Sequence, residues 1–134
     1  MEWYLKVVRN NYANFNGRAR RKEYWMFLLI HFIINLVLGV IQWLLSIDYM
    51  LTTIYGLAVL LPILAVSSRR FHDIGKPSSW ASLVVFLYVV KYIPLIGWFL
   101  TLPIAIILIY FFVQEGDQGP NEYGPDPKGE VAYQ

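Results

Sequence analysis

Four stretches of this 134-residue chain contain no Asp, Glu, Lys or Arg: residues 24–47, 49–68, 77–90 and 92–114. About 20 mostly apolar residues in a helix cross the ~30 Å hydrocarbon layer of a bilayer. Three of the four stretches have that length, so the chain is read as an integral membrane protein. The composition agrees, with 57% hydrophobic and 15% charged residues, where soluble domains carry ~25% charge. A soluble globular enzyme and a disordered chain are both excluded. Cysteine is absent, so there is no disulfide framework, thiolate nucleophile or Cys-based metal site. Two histidines, His31 and His72, are too few for a structural zinc site. No metal and no cofactor is implied. The first 23 residues are polar and basic without a small-residue cleavage site, so the first apolar run is expected to act as an uncleaved anchor.

The expected fold is all-α: a polytopic bundle of four transmembrane helices forming one membrane domain. In residues 1–23, Tyr4, Leu5, Val8, Tyr12 and Phe15 fall at helical spacing. This predicts an amphipathic helix over Trp3–Phe15, either in the headgroup plane or packed on the end of the bundle. A second helix is expected to begin near Arg18 and run into span one, Tyr24–Leu45. The short link Ser46-Ile47-Asp48-Tyr49 makes spans one and two an antiparallel hairpin, with span two over Met50–Ser67. Arg69–Ser79 reads as a loop broken by Gly75 and Pro77. As one helix, Trp80–Val113 would be ~51 Å long, so it divides at Lys91, Pro94 and Gly97 into spans Trp80–Tyr92 and Leu95–Val113. Three spans are the alternative. The bundle thus occupies 24–113, and 114–134 is an acidic tail rich in Gly and Pro.

Residues 1–23 carry a net charge of +4, residues 67–79 carry +2, and the tail carries −4. The Lys/Arg asymmetry of short loops orients membrane helices with the basic side inward. Four spans return both basic segments and both termini to one side, which must be cytoplasmic. With three spans the tail would be exported.

Polar residues gather in three places: around Gly17–Trp25, around Arg69–Lys76, and from Gly116 to Pro127. Cations at Arg18, Arg20, Arg21 and Lys22 sit at a helix start that is already positive, which is unfavourable unless anions answer them. Arginine forks pair bidentately with phosphate or carboxylate, and each basic side chain gains ~1 kcal/mol near an anionic leaflet. The plainer reading is a topology signal, with Arg20 and Glu23 paired at i,i+3. Arg69 and Asp73 would pair at i,i+4 if span two's helix continued past the membrane. His72-Asp73 invites a catalytic reading, but no nucleophile stands at a recognisable spacing from it. Calcium-loop spacing fails in the tail, where Gly119 occupies a ligand position.

The ordered motifs Gly17-Arg18-Ala19-Arg20-Arg21-Lys22-Glu23-Tyr24-Trp25, Arg69-Arg70-Phe71-His72-Asp73-Ile74-Gly75-Lys76 and Gly119-Pro120-Asn121-Glu122-Tyr123-Gly124-Pro125-Asp126-Pro127 resemble those of the small bacterial inner-membrane proteins grouped as domain of unknown function 805. The resemblance covers nearly the whole chain. It departs at Lys76-Pro77-Ser78-Ser79-Trp80, where a Gly/Trp-rich stretch is expected. It implies a membrane location and no established activity.

Within span one, His31, Asn35 and Gln42 share one helix face, a polar stripe that must meet protein or water. Helix–helix hydrogen bonding explains it plainly; a conduction path in an oligomeric transporter or channel subunit is the sharper account. Nucleic-acid binding does not fit basic residues confined to two short stretches beside the membrane. The sequence therefore leads to a non-enzymatic membrane protein with a basic cap of Arg18, Arg20, Arg21, Lys22, Arg69, Arg70 and His72; an intramembrane enzyme ranks third, for want of an evident nucleophile–base pair. Its expected partners are anionic phospholipid headgroups or an acidic protein segment, with a homo-oligomer as a further expectation. The tail, through Asn121, Tyr123, Gly124 and Asp126, is expected to cover the cap.

Overall fold

The computed structural model describes residues 1–90 and 92–128. Lys91, expected in the turn between the last two apolar helices, and the end of the tail at 129–134 lie outside the described residues. The chain is all-helical: α1 (Glu2–Leu5), a π-helical turn (Lys6–Asn10), α2 (Arg21–Leu45), α3 (Met50–Asp73), a 3-10 turn (Ser78–Ala81), α4 (Ser82–Val90) and α5 (Ile96–Val113). The helices α2, α3 and α5 are long and apolar enough to cross a membrane, and Ser78–Val90 is a shorter apolar helix. That last stretch is roughly 20 Å long at 1.5 Å per residue.

Two boundaries differ from expectation. The N-terminal helix stops at Asn10, because the asparagines that follow satisfy the backbone locally. The Asn11 amide donates to the Lys6 carbonyl at 3.0 Å, and Asn14 donates to the Asn11 side chain at 2.9 Å. The helix expected from Arg18 begins at Arg21 instead. Gly17 takes a left-handed φ of 86°, and the Ala19 N–H donates to the Arg69 carbonyl at 2.9 Å. Residues 18–20 therefore run extended across the end of α3.

A third difference matters most for the site. The expected loop at 69–79 is helical through Asp73, so Arg69, Arg70, His72 and Asp73 form the buried last turns of α3. Gly75, at φ 75°, then turns the chain out.

The N-terminal segment packs on the bundle. Tyr4 and Val7 are buried, Tyr4 stacks on Phe27 at 5.3 Å, and its hydroxyl meets that of Tyr55 at 2.8 Å. Tyr12 adds a repair. Pro62 lies inside α3 and has no N–H for the carbonyl four residues back, Ala58. The Tyr12 hydroxyl donates to that carbonyl at 2.5 Å.

This repair is testable by a double-mutant cycle. Tyr12→Phe should lower stability by about 0.5–1.5 kcal/mol, the net worth of one hydrogen bond. Pro62→Ala restores the helical N–H, so the loss on Tyr12→Phe should largely disappear in that background. Thermal unfolding in detergent of the four proteins of the cycle measures the coupling.

Candidate functional site

All three polar segments meet at one end of the helices. At the centre is the Asp73 carboxylate, 2% exposed. Arg18 Nε donates to its Oδ1 at 3.0 Å, and Arg70 Nη1 donates to its Oδ2 at 2.6 Å. Each fork then has donors left over, and the tail takes them. Arg18 Nη1 donates to the Gly119 carbonyl at 2.7 Å, and Nη2 donates to that of Asp117 at 2.5 Å. Gly124 O lies 3.5 Å from Nη1. Arg70 Nη2 donates to the Gln114 carbonyl.

The tail is also tied to the end of α3. The Asp117 N–H donates to the Asp73 carbonyl at 2.6 Å, and Asn121 Nδ2 donates to that of His72 at 2.9 Å. Asp126 Oδ2 accepts the Gly119 N–H at 3.0 Å, which braces the tail's own turn. Tyr123 lies parallel to the His72 ring with centroids 4.0 Å apart.

The negative end of α5 faces the same arginines. Trp25 Nε1 donates to the Phe112 carbonyl at 3.2 Å, and Arg21 Nη1 donates to that of Val113 at 3.1 Å. Cations crowded at the positive start of α2 are thus answered by the terminal carbonyls of a neighbouring helix, where the dipole favours them.

A second pole surrounds Glu23, 1% exposed. Its Oε1 accepts from Arg69 Nη1 at 2.6 Å, and its Oε2 accepts from Lys6 Nζ at 3.2 Å. Glu23 is therefore engaged by Arg69 and Lys6, not by Arg20 as its spacing predicts. Asp73 pairs with Arg18 and Arg70, and the expected Arg69–Asp73 pair does not form although the helix does continue. Lys6, Arg20 and Lys22 surround the Trp3 ring at 5.5, 5.9 and 5.5 Å. Here the pairing is incomplete. Arg69 Nε and Nη2 and Arg20 Nε are buried and have no hydrogen-bond partner among the described residues.

The intramembrane stripe separates into two pieces. His31 Nδ1 lies 3.1 Å from the Tyr55 hydroxyl, and Asn35 Nδ2 lies 3.1 Å from His31 Nε2. Both residues line a cleft of about 900 Å³ with Leu28, Phe32, Leu57 and Tyr88. Gln42 does other work: its Oε1 accepts the Thr52 N–H at 2.9 Å in the first turn of α3, a helix cap.

Sequence spacing gave no sign of Gly116, yet the tail docks through it. A Cβ there would lie 2.0 Å from Asp73 Oδ2, whereas one on Gly39 would meet nothing within 4 Å. Gly116→Ala should therefore cost about 1–3 kcal/mol, as overpacking does, and should make the tail sensitive to protease. Gly39→Ala should leave both unchanged. Thermal unfolding and limited proteolysis check the pair.

Helices without strands among the described residues, apolar lengths sufficient for a bilayer, and polar segments gathered at one end define a small all-helical membrane protein with a buried ionic cap. The chain belongs to the family described as "Protein of unknown function (DUF805)", whose sequence profile matches residues 12–125. It is 44% identical to Inner membrane protein YhaI of Escherichia coli (strain K12) over 129 residues, covering 96% of this chain and 97% of that one. It is 46% identical to Inner membrane protein YhaH of the same strain over 133 residues, covering 96% and 98%. The Uncharacterized protein YiiR of that strain is 28% identical over 135 residues, covering 90% and 89%. No solved structure matches.

Proposed function

We propose that this inner-membrane protein acts by binding, and that its cap receives anionic phospholipid headgroups at the cytoplasmic face. The observation that carries this reading is the incomplete pairing around Glu23. Arg18, Arg69 and Arg70 are buried, and the buried carboxylates among the described residues are Glu23 and Asp73. Buried guanidinium donors without acceptors are costly, and a phosphate oxygen supplies what Arg69 and Arg20 lack, as a charge-assisted bond. Trp3, with Lys6 and Lys22 beside it, suits the polar–apolar boundary where headgroups lie. The arginines on Asp73 have a different task, since the tail already occupies their donors. A binding role of this kind needs no chemical turnover.

Arg20→Ala should reduce retained phosphatidylglycerol at least threefold relative to phosphatidylcholine in native mass spectrometry. Arg20→Lys should recover only part of the loss, because the fork is missing. Arg9→Ala, which removes an exposed charge, should change retention little. Equal losses for Arg20→Ala and Arg9→Ala would reduce the cap to a diffuse charge.

The sidedness is tested independently. The chain has no cysteine, so single introduced cysteines report cleanly. Cysteines at Asn16 and Gln118 should react with an impermeant reagent only after the membrane is opened, and one at Asp48 should react from outside. Reaction at 118 in sealed cells would remove the cytoplasmic assignment.

A further inference from the structure

The sequence places His72 in the basic cap and offers no nucleophile at a recognisable spacing from it. The fold supplies one. His72 Nδ1 lies 2.9 Å from the Gly17 carbonyl, which can only accept, so the ring proton is on Nδ1 and the neutral ring presents a lone pair at Nε2. Ser78 Oγ lies 2.8 Å from Nε2 and donates to it when the ring is neutral. Ser68 Oγ donates in turn to Ser78 Oγ at 2.7 Å. The chain of bonds runs one way: Ser68 to Ser78 to His72 to Gly17. We propose that Ser78 is a nucleophile activated by His72, and that it takes the acyl group from an ester of a membrane amphiphile.

The geometry separates the two roles. His72 is 5% exposed and is held by Gly17, by Ser78 and by the parallel Tyr123 ring, whereas Ser78 is exposed. A nucleophile within hydrogen-bond reach of a base, itself oriented by a third group, is the general arrangement for serine acyl transfer. A backbone carbonyl stands here where a carboxylate would, so the imidazolium formed in the reaction is less well stabilised and turnover is slow. Ser78 also opens the helical stretch Ser78–Val90. Its own N–H and that of Ser79 precede the Trp80 N–H, which bonds the Pro77 carbonyl. Leading N–H groups have no intrahelical partner and favour a developing oxyanion.

The surroundings choose the substrate class. Trp80 packs on Phe111 and Phe71, with centroids 5.2 and 6.2 Å away, and Lys76 Nζ sits 5.3 Å over its ring. An aromatic belt with a cation at its rim marks the boundary between hydrocarbon and headgroups, the depth at which the esters of membrane amphiphiles lie. In the reaction Ser78 Oγ forms a bond to the acyl carbon and its proton passes to His72 Nε2. The carbon–oxygen bond to the alcohol breaks, and the alcohol leaves with that proton. Water, deprotonated by His72, then cleaves the acyl-serine, releasing the acid and restoring the Ser78 hydroxyl. The balance is ester plus water to acid plus alcohol.

The test uses the full chain in detergent micelles with a fluorophosphonate probe and a p-nitrophenyl acyl ester. Peptide mapping should place the label on Ser78. Ser78→Ala should abolish labelling and lower ester hydrolysis at least 100-fold, while Ser82→Ala, at an exposed serine outside the site, leaves both unchanged. His72→Asn keeps a donor for the Gly17 carbonyl but removes the base, and should slow labelling about 100-fold or more. Each variant's unfolding temperature is measured alongside. Should His72→Asn fail to fold, Ser78→Ala against the wild type decides, because it leaves His72 in place: labelling and hydrolysis should both be lost. Absence of label on Ser78 in the folded protein overturns the proposal. So does labelling of a folded His72→Asn at the wild-type rate, or labelling without ester hydrolysis.

Discussion

A carboxylate held between two guanidinium groups, Asp73 between Arg18 and Arg70, decides where the remaining polar chain can go. Removing three charges from water costs several kcal/mol per ion, and the cost is recovered only where geometry is good and every leftover donor finds an acceptor. Each arginine carries five N–H donors, and one carboxylate cannot use them all. The surplus fixes the tail, whose carbonyls at Asp117, Gly119 and Gln114 fill the open positions on Arg18 and Arg70. Lysine in either place would present a point charge without the fork, and the tail would lose its template.

The second pole differs in kind. Around Asp73 every arginine nitrogen outside the ion pair faces a backbone carbonyl, so that half of the cap is closed on itself. Around Glu23 the same residue type leaves buried donors empty, and beside them the Trp3 ring is surrounded by Lys6, Arg20 and Lys22. One end of a small bundle thus carries a finished ionic joint and an unfinished one a few residues apart along α2 and α3.

The apolar helices were legible because their signal is cumulative: runs without charge, interrupted at Asp48, at Gly75 and Pro77, and near Pro94. The meeting of the three polar segments at one end was legible too, since an even number of apolar helices returns the tail to the starting side. Pairings were not. At i,i+3 or i,i+4 spacing, Arg20–Glu23 and Arg69–Asp73 look natural, yet partners distant in sequence displaced both. Short exposed pairs are worth only a few tenths of a kcal/mol, whereas burial makes geometry decisive. The loop expected at 69–79 failed for a related reason. Charges argue for solvent only while unpaired, and Glu23, Arg18 and the tail allow Arg69–Asp73 to remain helical and buried. Ser78 was hidden because the turn at Gly75, not sequence spacing, brings its hydroxyl back to His72.

The contacts of Arg18 with the tail join residues 99–106 positions apart, and this has a consequence for biogenesis. A chain inserted from its N-terminus exposes Arg18, Arg20 and Arg21 at the membrane surface well before Asp117 or Gly119 has been made. During that interval they are bare positive charges of the kind that hold a first helix in its orientation. Once α5 is in place and the tail emerges, Arg18 is covered and Arg21 engages α5's end. The same side chains therefore act twice in succession, first as an orientation signal and then as a clasp that closes only on a completed chain. A truncated or wrongly inserted product lacks the carbonyls that hide these charges, and so keeps on its surface a mark of being unfinished.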